Sequence, residues 1–124
     1  MLIHKTQIDA LTRVGVDEFV ERMVAHLERV FPEESAARGK AELSAMIYEG
    51  ITRAASWRIE REYHICLYLD VMMALGPRFD EDPTIPWARE LLEDPALGPG
   101  AGIDILHSRV FDPPVVPTAE NEKP

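Results

Sequence analysis

The chain has 124 residues and a formal net charge of −9, with 13 Lys and Arg residues against 22 Asp and Glu. This acidic balance argues against binding to nucleic acid or to an anionic membrane surface, because both need clustered basic residues. The length fits one domain, and 46% apolar residues supply one hydrophobic core, which excludes wholesale disorder.

The first half of the chain predicts a long helix, a short helical turn and a second long helix. Apolar residues from Val16 to Val30 recur at steps of four and three positions, which is a helical spacing. The Phe31–Pro32 pair ends this helix, because proline disfavours the α conformation in the residue before it. Pro32 then opens a short helical turn, and Gly39 separates it from a helix with one apolar stripe, formed by Leu43, Ile47, Ile51 and Ala54.

Glu60–Leu75 predicts the central helix of the fold. Its residues are apolar nearly all the way round, and such a helix is normally surrounded by other helices. Gly76 and Pro77 end it. An ordered acidic loop follows, then a short helix that begins at Pro86. After a flexible glycine-rich corner, the last helix runs from Ala101 or Gly102 to about Phe111.

No segment shows the alternation of a β-strand, so the sequence predicts an all-α, compact, single-domain bundle of about five helices. Residues 1–111 form the predicted helical domain, and residues 112–124 form a flexible, proline-rich, disordered C-terminal tail. The N-terminus has no apolar signal-peptide region, and the single cysteine, Cys66, lies in an apolar run that predicts a buried, reduced thiol. Both features favour the cytoplasm.

Residues with metal-binding chemistry do not form a recognised motif. Asp80, Glu81 and Asp82 resemble the start of a calcium loop, but Ile85 stands where that loop needs glycine, and Leu91 where it needs an acid. Glu60 and His64 have the i, i+4 spacing of a metal-binding pair, although a surface pair that supports the helix is the simpler interpretation. The other histidines, His4, His26 and His107, are interpreted as isolated structural or surface residues.

The sequence therefore predicts no catalytic residues, no metal and no cofactor. Cys66 lies between Ile65 and Leu67, and burial there opposes a nucleophilic role. No serine lies in a nucleophile elbow. Binding to another protein is the function that remains.

The predicted partner-binding surface consists of Asp80, Glu81 and Asp82 together with Trp87. Residues 77–111 have a net charge of −4, prolines stiffen the loop, and an aromatic side chain is a good interface anchor. The alternative is that Trp87 fills the core and the acids only maintain solubility. Trp57, which lies next to the basic residues Arg58 and Arg61, is equally compatible with core and interface.

A series of short segments from about residue 20 to residue 110 resembles a known group of proteins. The segments are Arg22–Leu27, Phe31–Pro32, Ile47–Ile51, Ala54–Ala55, Tyr68–Asp70, Leu75–Asp80, Asp82–Pro83, Pro86–Ala88 and Leu91–Leu92. Their order is similar to that in small bacterial helical proteins encoded beside type VI secretion effectors and their spike or PAAR partners. The resemblance implies an effector chaperone, adaptor or co-chaperone, and some such neighbours are immunity proteins.

Three functions are therefore expected, in decreasing order. The first is a non-catalytic accessory factor that binds a type VI effector, with an effector, toxin or PAAR/spike protein as partner. The second is an immunity protein whose acidic surface covers a basic toxin site. The third is an enzyme with an unrecognised site. The formation of homo-oligomers stays open.

Overall fold

A computed structural model of the protein describes residues 12–112, which form six α-helices and one short 3-10 turn. The all-α prediction is confirmed. The helices are α1 (Thr12–Val30), α2 (Pro32–Arg38), α3 (Lys40–Ser56), α4 (Glu62–Leu75), α5 (Pro86–Glu93) and α6 (Gly98–Phe111), and the 3-10 turn is Phe79–Glu81. Residues 1–11 of the predicted domain and 113–124 of the predicted tail lie outside the described residues.

The sixth helix arises because the segment between Pro32 and Gly39 is a complete helix of seven residues rather than a single turn. Proline occupies its first turn, where no backbone N–H donor is needed. Gly39 has a φ of +85°, a conformation that favours glycine, and the chain changes direction there before α3 begins. The buried Ser35 hydroxyl donates a hydrogen bond of 3.0 Å to the backbone carbonyl of Leu27, which fastens α2 to α1.

Helix α4 lies at the centre of the fold, as predicted, although it begins at Glu62 rather than at Glu60 because Arg61 is extended. It packs against α3 on one side and α6 on the other, while α1 packs on α3. Although α4 is mostly apolar, none of the helices within residues 12–112 is long and apolar enough to cross a membrane. The buried residues of α4 are Ile65, Leu67, Tyr68, Leu69, Asp70, Val71, Met72 and Met73.

The glycine-rich segment before α6 is not the flexible corner that the sequence predicts, because α6 already begins at Gly98. Proline is compatible with the first turn of a helix. Gly102 is buried where α6 crosses α5, and a Cβ atom at this position would lie 2.5 Å from the backbone oxygen of Leu91. The glycine therefore allows the two helices to pack closely, and α6 buries Ile103 and Leu106 while Val110 is half-buried.

Candidate functional site

The predicted acidic site lies where the 3-10 turn meets α5, but its first carboxylate points inward. Asp80 is only 4% exposed, whereas Glu81 is exposed and Asp82 is half-buried. The expectation that all three acids form one solvated surface is therefore wrong for Asp80. Removing a carboxylate from water costs free energy, so a buried carboxylate needs a cation and hydrogen-bond donors that compensate its charge.

Those compensating groups come from α3 and α4. The Arg53 guanidinium donates to Asp80 Oδ1. The Trp57 indole N–H and the Tyr68 hydroxyl donate to Oδ2, at 2.9 Å and 3.2 Å. Burial opposes ionisation of Asp80, but these hydrogen bonds and the guanidinium charge outweigh it, so the pKa of Asp80 lies below its ordinary value of 3.8. Asp80 thus joins the 3-10 turn to the bundle.

The remaining acids surround what we term the acidic groove, a cleft of about 290 Å³ between the 3-10 turn and α5. Arg53 also donates to Glu81 at 2.9 Å and thereby lowers the pKa of that carboxyl group. The groove is lined by Asp80, Glu81, Asp82, Pro83, Pro86, Arg89, Glu90 and Glu93.

The turn that carries Asp82 is closed by its own hydrogen bonds. The Thr84 backbone N–H and hydroxyl donate to Asp82 Oδ1 at 2.9 Å and 2.7 Å. These bonds lower the pKa of Asp82. Both Glu81 and Asp82 therefore stay ionised to a lower pH than ordinary carboxyl groups do, and the groove keeps its negative charge near neutrality.

The two tryptophans are half-buried and pack against the core. The Arg109 guanidinium lies 4.4 Å from the centre of the Trp87 ring, and that of Arg89 lies 5.5 Å from the centre of the Trp57 ring. Because Arg89 also lines the acidic groove, Trp57 lies beside the groove.

A second polar cluster joins residues that sequence reasoning interpreted as isolated. We term it the Asp70 cluster: His26 of α1, Cys66 and Asp70 of α4, and His107 of α6. His26 Nε2 lies 2.8 Å from Asp70 Oδ1, and His107 Nε2 lies 3.1 Å from Asp70 Oδ2. Only the i, i+4 spacing of Cys66 and Asp70 is visible locally, since both histidines are about forty residues away in the chain.

The chemistry of the Asp70 cluster opposes a catalytic cysteine. Cys66 is half-buried rather than fully buried, and burial together with the charge of Asp70 raises its pKa to about 11. The thiol is therefore protonated at neutral pH, whereas a nucleophilic cysteine needs to be ionised.

The same cluster contains the one group of residues within 12–112 whose arrangement is suited to a metal ion. Ligand atoms of His26, Cys66 and Asp70 all lie within 4.8 Å of one another. The pair predicted from spacing, Glu60 and His64, does not share a helical face because α4 begins only at Glu62. His64 instead lies across from α6, with Nε2 3.4 Å from Asp104 Oδ2.

Comparisons of the chain with protein-family models, with curated proteins and with solved structures each gave no match.

Proposed function

We propose that the protein is a non-catalytic accessory factor that binds a basic segment of a partner protein in its acidic groove. The observation that carries this proposal is that hydrogen bonds to the buried Asp80 fasten the acidic turn of the groove to the bundle. The carboxylates available to a partner are those of Glu81, Asp82, Glu90 and Glu93.

Rigidity favours binding because little conformational entropy is lost when a partner docks. The bonds from Arg53, Trp57 and Tyr68 to Asp80 hold one end of the turn, and the Thr84 bonds to Asp82 hold the other. The groove is therefore already formed before the partner arrives.

Charge favours a basic partner. One cation, Arg89, lines the groove, and its Nε donates to Glu93 at 2.6 Å. The remaining carboxylates outnumber it, and their field would steer a Lys- or Arg-rich segment toward the groove and raise its association rate.

The partner that we propose is a type VI secretion effector encoded beside this protein, and the role is that of chaperone, adaptor or co-chaperone. This part of the proposal is supported by the order of segments between residues 20 and 110 and by the acidic groove, which suits a basic protein segment. An immunity protein would use the same groove against a basic toxin site.

The groove can be tested with a variant that removes its charge and keeps its shape, E81Q/D82N/E90Q. Asp80 stays unchanged because it holds the turn. The matched control is E18Q/E21Q/E28Q, which changes the net charge equally at exposed positions of α1. We expect the groove variant to associate with the neighbouring effector at least about tenfold more slowly at low salt, and the control to behave like the wild type.

Equal binding by both variants and the wild type would overturn the proposed site, and an equal loss in both would show that net charge alone matters. Two further measurements distinguish an adaptor from an immunity protein. Export of the effector should fail without this protein if it is an adaptor. Protection of cells from the isolated toxin domain would instead identify an immunity protein.

A further inference from the structure

We infer that His26, Cys66 and Asp70 form a binding site for one zinc ion, which fastens α1 to α4. The site is separate from the acidic groove and does not depend on the proposed function. It uses an imidazole nitrogen, a thiolate and a carboxylate oxygen, which are the three kinds of ligand that zinc takes from proteins.

The backbone already places these three side chains together. Cys66 and Asp70 are four residues apart on α4, so they lie on the same face one turn apart. His26 reaches them from α1, and its Nε2 points at Asp70 Oδ1 from 2.8 Å. Two ligands from one helix and one from its neighbour would join the first helix to the centre of the bundle.

The distances suit a tetrahedral ion after small side-chain movements. Zinc bonds of about 2.0–2.3 Å place neighbouring ligand atoms about 3.3–3.8 Å apart. The ligand atoms now lie between 2.8 Å and 4.8 Å from one another. An ion between them would replace the hydrogen bond between His26 and Asp70 and draw the Cys66 sulfur inward, with water in the fourth position.

His107 is a positioning residue for this site. Its Nε2 lies 3.1 Å from Asp70 Oδ2, the oxygen that does not face His26. A hydrogen bond from outside the coordination sphere orients a ligand carboxylate and strengthens metal binding about 10–100-fold. The site thus takes direct ligands from α1 and α4 and support from α6.

Binding displaces protons in a defined way. The Cys66 thiol releases one proton to solvent as the sulfur–zinc bond forms. In the tautomer that donates to Asp70, His26 Nε2 loses its proton to solvent and Nδ1 takes one up, so the ring stays neutral. Arg29, which lies 3.4 Å from His26 Nδ1, is exposed and can swing away from it.

The ligand set also selects the ion. Calcium and magnesium prefer oxygen ligands only, so a site with sulfur and nitrogen ligands disfavours them. Zinc and cobalt both accept this set in a tetrahedral arrangement, and cobalt reports on it through its absorption spectrum. His26 and Cys66 are partly exposed and Asp70 is buried, so an ion would enter from the side of His26 and Cys66.

The test uses the full chain, freed of metal with a chelator and kept under a non-chelating reductant. Cobalt is titrated first and zinc is then added as a competitor. We expect one equivalent of cobalt to produce a thiolate-to-cobalt charge-transfer band and visible bands of tetrahedral intensity, all of which zinc abolishes. Zinc at 100 times its Kd should raise the melting temperature by roughly 10 °C.

Single substitutions test which residues bind the metal ion. C66S should lose the charge-transfer band, H26Q should lose binding, and H107Q should weaken it about tenfold or more. The matched control is H64Q, which removes a histidine of the same helix that faces Asp104 and should bind like the wild type. Circular dichroism verifies that each variant is folded.

Two results would overturn the inference. One is cobalt binding without the thiolate band, or with unchanged affinity in C66S and H26Q. The other is no binding to the folded wild type at millimolar cobalt or zinc, which would leave the cluster as a hydrogen-bonded network. Neither readout involves a partner protein, so failure here leaves the proposed groove untouched.

Discussion

Asp70 and Asp80 are both buried, at 7% and 4% exposure, but different groups compensate their charges. Asp80 accepts from a guanidinium that is charged at every accessible pH and from two neutral donors. Asp70 instead faces the imidazoles of His26 and His107. One carboxylate is held by a permanent cation and the other by groups that can change their protonation or bind a metal.

The groups around Asp80 therefore have a structural role, whereas those around Asp70 can also bind a ligand. The groups around Asp80 keep a fixed charge because the Arg53 guanidinium cannot be neutralised, although its buried Nε has no hydrogen-bond partner among the described residues. The Asp70 cluster contains the Cys66 thiol and two imidazole rings, whose nitrogens are donors or acceptors according to the tautomer. We therefore expect changes around Asp80 to affect stability strongly, and changes around Asp70 to affect stability weakly and ligand binding strongly.

The largest effect is expected from R53M, which removes the permanent cation and leaves Asp80 buried without it. Its cost should be about 3–5 kcal/mol in the free energy of unfolding, because the uncompensated charge remains in the interior. Urea unfolding followed by circular dichroism measures this value. The matched control is R78M, whose exposed guanidinium lies 3.4 Å from Glu81 and should contribute less than about 0.5 kcal/mol. Equal losses in the two variants would contradict the structural role of Asp80.

A smaller, pH-dependent effect is expected from D80N. At pH 6 it should cost about 1.5–3 kcal/mol, the contribution of hydrogen bonds to a charged group. Because the folded pKa of Asp80 is lowered, its contribution is fully present above the unfolded pKa of 3.8 and is lost as the pH falls through the folded pKa. The difference in the free energy of unfolding between wild type and D80N should therefore become smaller from pH 6 to about pH 3.

Urea unfolding of both proteins across that pH range provides the comparison. Glu81 and Asp82, whose pKa values are also lowered, are present in both proteins, so their own acid dependence largely cancels. If the difference in the free energy of unfolding stayed constant with pH, the charge of Asp80 would not contribute to folding.

The smallest effect is expected from H107Q, measured with a chelator present. It should cost about 1 kcal/mol, because Asp70 keeps its contact with His26 and the His107 side chain is already 25% exposed. The same urea experiment measures it. If the loss were as large as that of R53M, Asp70 would depend on one histidine as strongly as Asp80 depends on its arginine, and the distinction between the clusters would fail.

Local signals in the sequence predicted much of the fold. The Phe31–Pro32 pair and the glycines at 39 and 76 mark real helix boundaries because proline and glycine restrict or permit particular backbone conformations whatever surrounds them. The start of α6 was missed because its glycines resemble a flexible corner. Only the tertiary structure gives two of those glycines a packing role, Gly102 against the backbone of Leu91 and Gly100 against the His64 ring.

The candidate sites were predicted less completely. Glu81 and Asp82 line a groove, and the partner-binding surface to which composition and charge assigned them stays a prediction. The burial of Asp80 was not predicted, because it depends on Arg53, which lies 27 residues earlier in the chain. The Asp70 cluster was missed because its members come from α1, α4 and α6. Periodicity shows which side of a helix is apolar, but it does not show which polar residues of separate helices face one another.

The sequence by itself determined that this protein is helical, which residues of each helix are apolar, and that its C-terminal third is acidic. These properties depend on residues a few positions apart, where backbone geometry sets the spacing. Only the tertiary structure decided which aspartate meets a permanent cation and which meets two histidines and a thiol. Those pairings depend on how α1, α3, α4 and α6 pack together, and packing brings into contact residues that are far apart in the chain.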